Sequence, residues 1–294
     1  MASRLVLIKV VLHSMPLYLF SILAAPKWVL KEIKRLQRSF LWGSSGQKRK
    51  WALVKWDNVY LPKNAGGTSL RDPSHSNKVI GARIWWRCIT MPSTPWAYLW
   101  TAKYANNHPS EELIRISEVG MGSLIWNSAK QHRSLIQQHS FWEVKDGKDA
   151  RFWEDSWQQL PKLKDLLHPM QTLEQNLQDP NKVKNLWRSS PIQDTKQWLE
   201  THQILRNGTE QDQKTLQAEL MRRKIQCSEE RDILRWGYGE KGIFSTKEAY
   251  HIIIHEHMVK DNLWSKVWDP TNRPKVSTFV SLLGHNKILT WDNL

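Results

Sequence analysis

The stretch PKWVLKEIKRLQRSFLWG, residues 26–43, decides how the chain is read. Pro26 suits a helix start, where its fixed φ and missing N–H cost nothing, and Gly43 suits a helix end. Between them Val29, Ile33, Leu36 and Phe40 recur at spacings of four, three and four. At about 100° per residue these side chains share one face. Lys31, Lys34, Arg35 and Arg38 project to the opposite face, within an arc of about 100°. The expectation is a helix that packs its apolar side on protein and presents four cations on the other.

Outward from this helix, charge is unevenly spread. The 294 residues carry a net charge of +15, and residues 1–90 hold 16 Lys+Arg against 3 Asp+Glu. Nearly all the excess therefore sits in the first third, which is the electrostatic footprint of a polyanion-binding region. A solvated basic face without a partner is the competing reading. The length allows one large domain or two modest ones. Eighteen tryptophans can fill a core or stack on bases, and core packing accounts for most of them. Two cysteines, Cys88 and Cys227, give no disulfide framework and suit a reducing compartment.

Residues 5–25 are apolar enough to suggest a signal peptide or a membrane span. Lys9 inside the run, His13-Ser14 and Pro16 argue against both. A buried helix with a break near Pro16 is expected instead. Further on, residues 44–50 (SSGQKRK) read as a basic loop and residues 51–61 as β-rich. Residues 62–67 read as a turn, and 78–88, 95–104 and 122–138 as helices. Asp146-Gly147 between aromatic runs signals a β-hairpin over 141–153, and a second small hairpin is expected near 233–245. Residues 168–196 are polar and proline-bearing, as a linker would be; 209–226 look helical. Ser245 with Glu248 opens another helix by a capping box, and 273–284 suggest a last one.

Chemistry-bearing motifs are sparse. Gly66-Gly67 lacks the Lys-Ser/Thr or third glycine of a phosphate loop. Glu154-Asp155 point to opposite faces if extended, and Asp146 and Asp149 flank a turn, so neither pair marks a two-metal centre. His251 and His255 share a helix face, followed by His257, but zinc needs three or four ligands, and a surface histidine cluster is the simpler reading. No nucleophile elbow is present. The chain is thus expected to be non-catalytic, without cofactor or metal, and to have no small-molecule substrate.

Several short segments, in order, resemble the LINE-type (non-LTR) retrotransposon reverse transcriptases abundant in plant genomes. Leu7 to Tyr18 (LIKVVLHSMPLY) is similar to the segment just after the palm, and Pro26–Gly43 to the helix that follows. Val54-Lys55-Trp56-Asp57, Leu61-Pro62-Lys63, Gly66-Gly67, Asn77 and Trp85-Trp86-Arg87 continue the likeness. Asp146-Gly147 with Arg151 to Trp157 (RFWEDSW) resembles a later hairpin motif. From about Trp236, through Gly242 to Ser245, Ala249-Tyr250, Leu263-Trp264, Trp268 and Leu289 to Leu294, the chain resembles the start of the reverse-transcriptase zinc-binding region. Thr68-Ser69 and Val280 depart from the pattern, where Leu-Gly and Trp are usual. The family's Tyr-x-Asp-Asp would lie before Met1 and its Cys/His ligands after Leu294, so neither is carried onto a residue here.

The resemblance implies a fragment with a thumb-like role, holding an RNA–DNA hybrid or RNA through backbone phosphates. Its expected contacts are Lys31, Lys34, Arg35, Arg38, Lys48, Arg49 and Lys50. The expected architecture is α+β, mainly helical. It comprises a basic thumb-like segment (1–90), a connecting α+β region (91–170), polar linker and helices (171–230), and the truncated start of the zinc-binding region (231–294). An intracellular location, the nucleus included, fits this reading. An inert pseudogene product, or a membrane-associated or secreted basic protein, are the rivals; the first predicts aggregation and an uncooperative melt, the second vesicle binding or a cleaved N-terminus.

Overall fold

The computed structural model describes residues 1–43, 52–105, 108, 110–115, 121–166, 210–223, 228–237, 241–255 and 262–287. Its helices, in chain order, are α1 (Ala2–Phe20), α2 (Lys27–Trp42), α3 (Trp56–Tyr60), α4 (Pro73–Thr90), α5 (Pro95–Tyr104), α6 (Leu124–Gln131) and α7 (Arg133–His139). They are followed by α8 (Glu210–Arg223), α9 (Thr246–His255), α10 (Asn262–Val267) and α11 (Pro274–Gly284). Strands β1 (Ser140–Glu143) and β2 (Ile233–Trp236) form an antiparallel pair. The described chain is therefore α+β and mainly helical. It divides into two compact units. The first is Met1–Pro109 with Ile116–Leu135 and Ser245–Leu294; the second is Ser110–Arg115 with Ile136–Phe244.

In the first unit, proline punctuation sets the helices. Pro73, Pro95 and Pro274 each stand in the first turn of α4, α5 and α11, where no N–H is needed. Gly43 ends α2 in the left-handed region at φ 72°. The expected break near Pro16 falls just ahead of it: the regular helix gives way to a π-turn over Ile8–Leu12, closed by the His13 N–H donating to the Ile8 carbonyl at 2.8 Å, and resumes at Ser14. That wide turn absorbs the register that a proline would otherwise disrupt. The β-rich segment expected over 51–61 is also corrected. Trp56, Val59 and Tyr60 bury themselves at helical spacing on α3, because that is the spacing that reaches the core of Leu5, Ile8, Leu41 and Trp42. The helix expected over 122–138 is broken at His132 into α6 and α7.

A second part of that core is aromatic. Trp85 of α4 and Trp126 of α6 are fully buried with ring centroids 5.2 Å apart, and Trp100 and Tyr104 of α5 lie 5.4 and 5.1 Å from Trp126. Gly81 permits this closeness: a Cβ there would stand 2.2 Å from the His132 ring. His132 and His13 are both buried, and burial pushes both imidazoles down to about 4, helped by Lys78 beside His132 and Arg71 near His13. The unfolded chain, with ordinary histidines near 6.5, binds more protons than the folded one between those values. Stability should then be full above pH 6.5 and fall as pH drops toward 4, by on the order of 2 kcal/mol per histidine. The check is the urea midpoint at neutral and mildly acidic pH for the wild type and for His13→Gln/His132→Gln. A wild-type midpoint flat with pH would refute buried neutral histidines.

The second unit corrects the first hairpin. β1 does not fold back on residues 150–153; it pairs with β2, Ser140 opposite Trp236 and Glu143 opposite Ile233, while the Trp236 N–H donates to the Gly242 carbonyl at 2.7 Å, as a turn-back over 233–245 requires. The reason is one carboxylate. Asp232, buried just before β2, accepts the backbone N–H groups of Lys145 (2.6 Å), Gly147 (2.9 Å), Asp149 (3.0 Å) and Ala150 (3.0 Å). The Asp146-Gly147 turn wraps around that anion rather than joining two paired strands. Behind it, Arg223 of α8 lies 4.3 Å over the Trp157 ring and donates to the Trp157 and Pro161 carbonyls.

Candidate nucleic-acid interface

Helix α2 forms as its sequence predicts, but its buried face is rotated. Gln37 is 0% exposed and Leu41 2%, whereas Leu36 is 48% and Phe40 40% exposed. The inward arc runs through Lys34, Gln37 and Leu41 because polar partners wait there. The Tyr60 hydroxyl donates to Gln37 Oε1 at 3.1 Å, and Lys34 Nζ meets Asp72 Oδ2 at 2.8 Å. These two contacts fix the rotation of the helix, although the buried Gln37 Nε2 itself has no hydrogen-bond partner.

The expected four-cation stripe is thereby split. Lys31, Arg35 and Arg38 are exposed, while Lys34 turns inward. Arg35 is bonded through Nε to Glu32 at 2.8 and 3.0 Å, an exposed pair that water and salt weaken easily. Arg38 leans on Trp56, its guanidinium carbon 5.6 Å from the ring centroid. Lys48, Arg49 and Lys50 lie outside the described residues. Sequence reasoning missed Asp72 as the partner that captures Lys34. Asp72 also caps α4, accepting from the Ser74 N–H at 2.7 Å, and its own N–H donates to the Tyr250 hydroxyl of α9 at 2.7 Å. The Asp-Pro pair before α4 carried the capping signal; the two long-range bonds left no local trace.

Other groups singled out in the sequence are structural. Lys9, inside the apolar α1, donates to the Thr68 carbonyl at 2.6 Å, and burial with Lys63 nearby lowers its pKa. By length and composition α1 could cross a membrane; Leu5, Ile8, His13 and Phe20 are buried in protein, but Val6, Leu7, Val10, Val11, Met15, Tyr18 and Leu19 are exposed, so the helix expected to be buried is buried along one side only. Gly66-Gly67 is a packing turn: the His285 ring contacts the Gly66 carbonyl at 2.9 Å and Trp264 stacks on that ring at 4.8 Å. Burial pushes the Cys88 thiol up to about 12, so it is no nucleophile at neutral pH. Cys227, His257 and the His255 side chain lie outside the described residues, and among those described no group of three or more His, Cys, Asp or Glu could hold a metal.

Of the acidic pairs, Asp146 is held by Lys148 and the others by arginines. Arg115 Nε reaches both Asp155 oxygens at 3.1 and 3.0 Å and Nη1 reaches Glu112 at 3.0 Å, with the Trp142 ring 5.5 Å away. Arg151 pairs with Glu112 and Glu154, and Arg231 with Asp149. The charges of this cluster are satisfied internally, which suits a structural role.

No family model and no solved structure matches the chain. It is 27% identical over 293 residues to an Arabidopsis thaliana protein named as a ribonuclease H protein, a match covering 98% of this chain and 45% of that one. It is 26% identical over 145 residues to an uncharacterized mitochondrial protein of Arabidopsis thaliana, covering 49% of this chain and 92% of that one. The chain thus spans less than half the length of the first of these relatives.

Proposed function

We propose that this chain is a non-catalytic segment of retroelement origin that holds an RNA–DNA hybrid by its phosphates, through the exposed cations of α2. The observation that carries the reading is the concentration of 16 Lys+Arg against 3 Asp+Glu in residues 1–90, with Lys31, Arg35 and Arg38 exposed on one helix. The relative named for ribonuclease H supports a hybrid as the partner. Such contacts grip without reading sequence, as a sliding clamp on a moving duplex needs.

The test is titration of the full chain against a labelled RNA–DNA hybrid at several salt concentrations. Reversing Lys31, Arg35 and Arg38 to Glu should weaken binding at least about tenfold and flatten the salt slope by about 0.9 for each phosphate that is no longer neutralised. Lys34→Gln should behave differently, lowering the unfolding midpoint because the Asp72 carboxylate loses its only cation while keeping the Ser74 N–H, and hybrid affinity in the folded protein barely changes. Unchanged binding in the triple reversal would remove α2 as the interface.

A further inference from the structure

Helix α1 carries its exposed side chains as pairs four residues apart, at 6–7, 10–11, 14–15 and 18–19. An α-helix turns every 3.6 residues or so, and a four-residue period would drift about 40° per repeat and wind around it. The π-turn over Ile8–Leu12 takes more residues per turn and holds the four pairs to one side. The result is a single stripe along the helix. Seven of its eight side chains are large and apolar, with Val10 64%, Met15 68% and Tyr18 73% exposed. The eighth, Ser14, donates its hydroxyl back to the Val10 and Val11 carbonyls, so it needs no partner outside the helix. Of the most apolar 18 residues of α1 only 22% are buried, too few for a core helix.

The residues that spoke against a membrane in the sequence lie on the other side. Lys9 donates to the Thr68 carbonyl, and His13 is buried. The stripe itself bears no charge from Val6 to Leu19. Exposed cations precede and follow it in the chain: Arg4, one turn ahead of Leu7 on the same helix, and Lys27, beside the exposed Trp28 at the start of α2. Residues 1–56 hold 11 Lys+Arg and one carboxylate, Glu32, which Arg35 engages. Nucleic acid matches that charge but has nothing to cover Val, Leu and Met side chains. A second copy would bring like charges together. An anionic bilayer supplies hydrocarbon and negative charge in one surface, and exposed Tyr and Trp suit its headgroup layer.

We propose that the exposed stripe of α1 lies along the surface of an anionic lipid bilayer, its apolar side chains among the acyl chains and Arg4 and Lys27 at the headgroups. The helix rests in the interface rather than crossing it, because Leu5, Ile8 and Phe20 hold its other side to the protein. The stripe shares no residue with the α2 interface, so bilayer binding and hybrid binding are lost by different substitutions.

The experiment is co-sedimentation of the full chain with phosphatidylcholine vesicles made with and without phosphatidylserine. Binding should be at least about tenfold tighter with phosphatidylserine and should weaken with salt. Val10→Gln/Met15→Gln should cut it at least about tenfold, and Leu7→Gln/Leu19→Gln should do the same. In both variants, affinity for the RNA–DNA hybrid and the unfolding midpoint should match the wild type, since the altered side chains are exposed. The proposal is overturned if the wild type stays in the supernatant, or if it binds both vesicles alike. It is overturned equally if either variant binds as the wild type does, which would leave charge alone as the cause. A variant that alters only self-association would make the stripe a protein contact and overturn it too.

Discussion

Asp232→Ala should destabilise the second unit by about 4 kcal/mol, the largest effect expected from a single carboxylate among the described residues. Four backbone N–H groups converge on that side chain within 2.6–3.0 Å. A hydrogen bond to a charged group contributes about 1.5–3 kcal/mol, but the donors lie in a loop and several would find water once the carboxylate is gone. The net loss is therefore well below a simple multiple. Asp232→Asn should cost about 2 kcal/mol, because one carbonyl oxygen still accepts while the amide NH₂ faces donors. Asp232 directly precedes β2, so its loss should also loosen the β1–β2 pair. Urea denaturation gives the magnitude. Amide exchange at Gly147 and Ala150 gives the location, and it should accelerate in the alanine variant far more than in Asn. Equal stability of Ala and wild type would mean that the turn holds itself.

That carboxylate also shows where a sequence stops being readable. Asp146-Gly147 between aromatic runs is a turn signal, and a turn is there, with Gly147 at φ 67°. What the signal cannot tell is which strand follows the turn into the sheet. Local periodicity describes one segment at a time, while the true partner of Phe141 is Arg235, far along the chain. An acidic residue ahead of Ile-Leu-Arg-Trp looks like any surface Asp until its four donors are brought to it.

Helix α2 makes the same point within one element. Its ends were legible because Pro26 and Gly43 act through their own backbone, and both stand where they were read. Its facing was not, because the inward turn of Gln37 and Lys34 depends on Tyr60 and Asp72, which hydropathy does not register. Apolar spacing placed Leu36 and Phe40 inside; they are among the exposed hydrophobic residues. The consequence reaches the candidate site, since one of its four cations is taken up in holding α2 against the N-terminus of α4. Composition fared better: the basic excess of the first ninety residues needs no geometry to be visible, and three of the four cations do face outward.

Gly67→Ala should cost the first unit about 3 kcal/mol or more, exceeding Gly66→Ala although only Gly66 of the pair has a positive φ, at 83°. A Cβ on Gly67 would stand 1.9 Å from the Leu61 carbonyl oxygen and 2.3 Å from its carbon, so the obstacle is backbone. That carbonyl also accepts the Ser69 N–H at 2.9 Å, and the Gly67 N–H donates to Pro62 at 3.0 Å, so neither side of the turn can retreat without breaking a bond. A Cβ on Gly66 would meet the Trp264 ring at 2.8 Å, and a side chain can tilt away; with the left-handed φ, about 1–2 kcal/mol follows. The difference propagates, because the next residue, Thr68, offers its carbonyl to Lys9 and donates its hydroxyl to the Val59 carbonyl. Displacing Thr68 separates the half-buried Lys9 ammonium from its acceptor and loosens α1 from the core. Paired urea melts of the two variants decide the matter. If Gly66→Ala proves the more damaging, backbone conformation governs the turn; if Gly67→Ala does, close approach governs it, and the glycine pair exists to let two stretches of main chain touch.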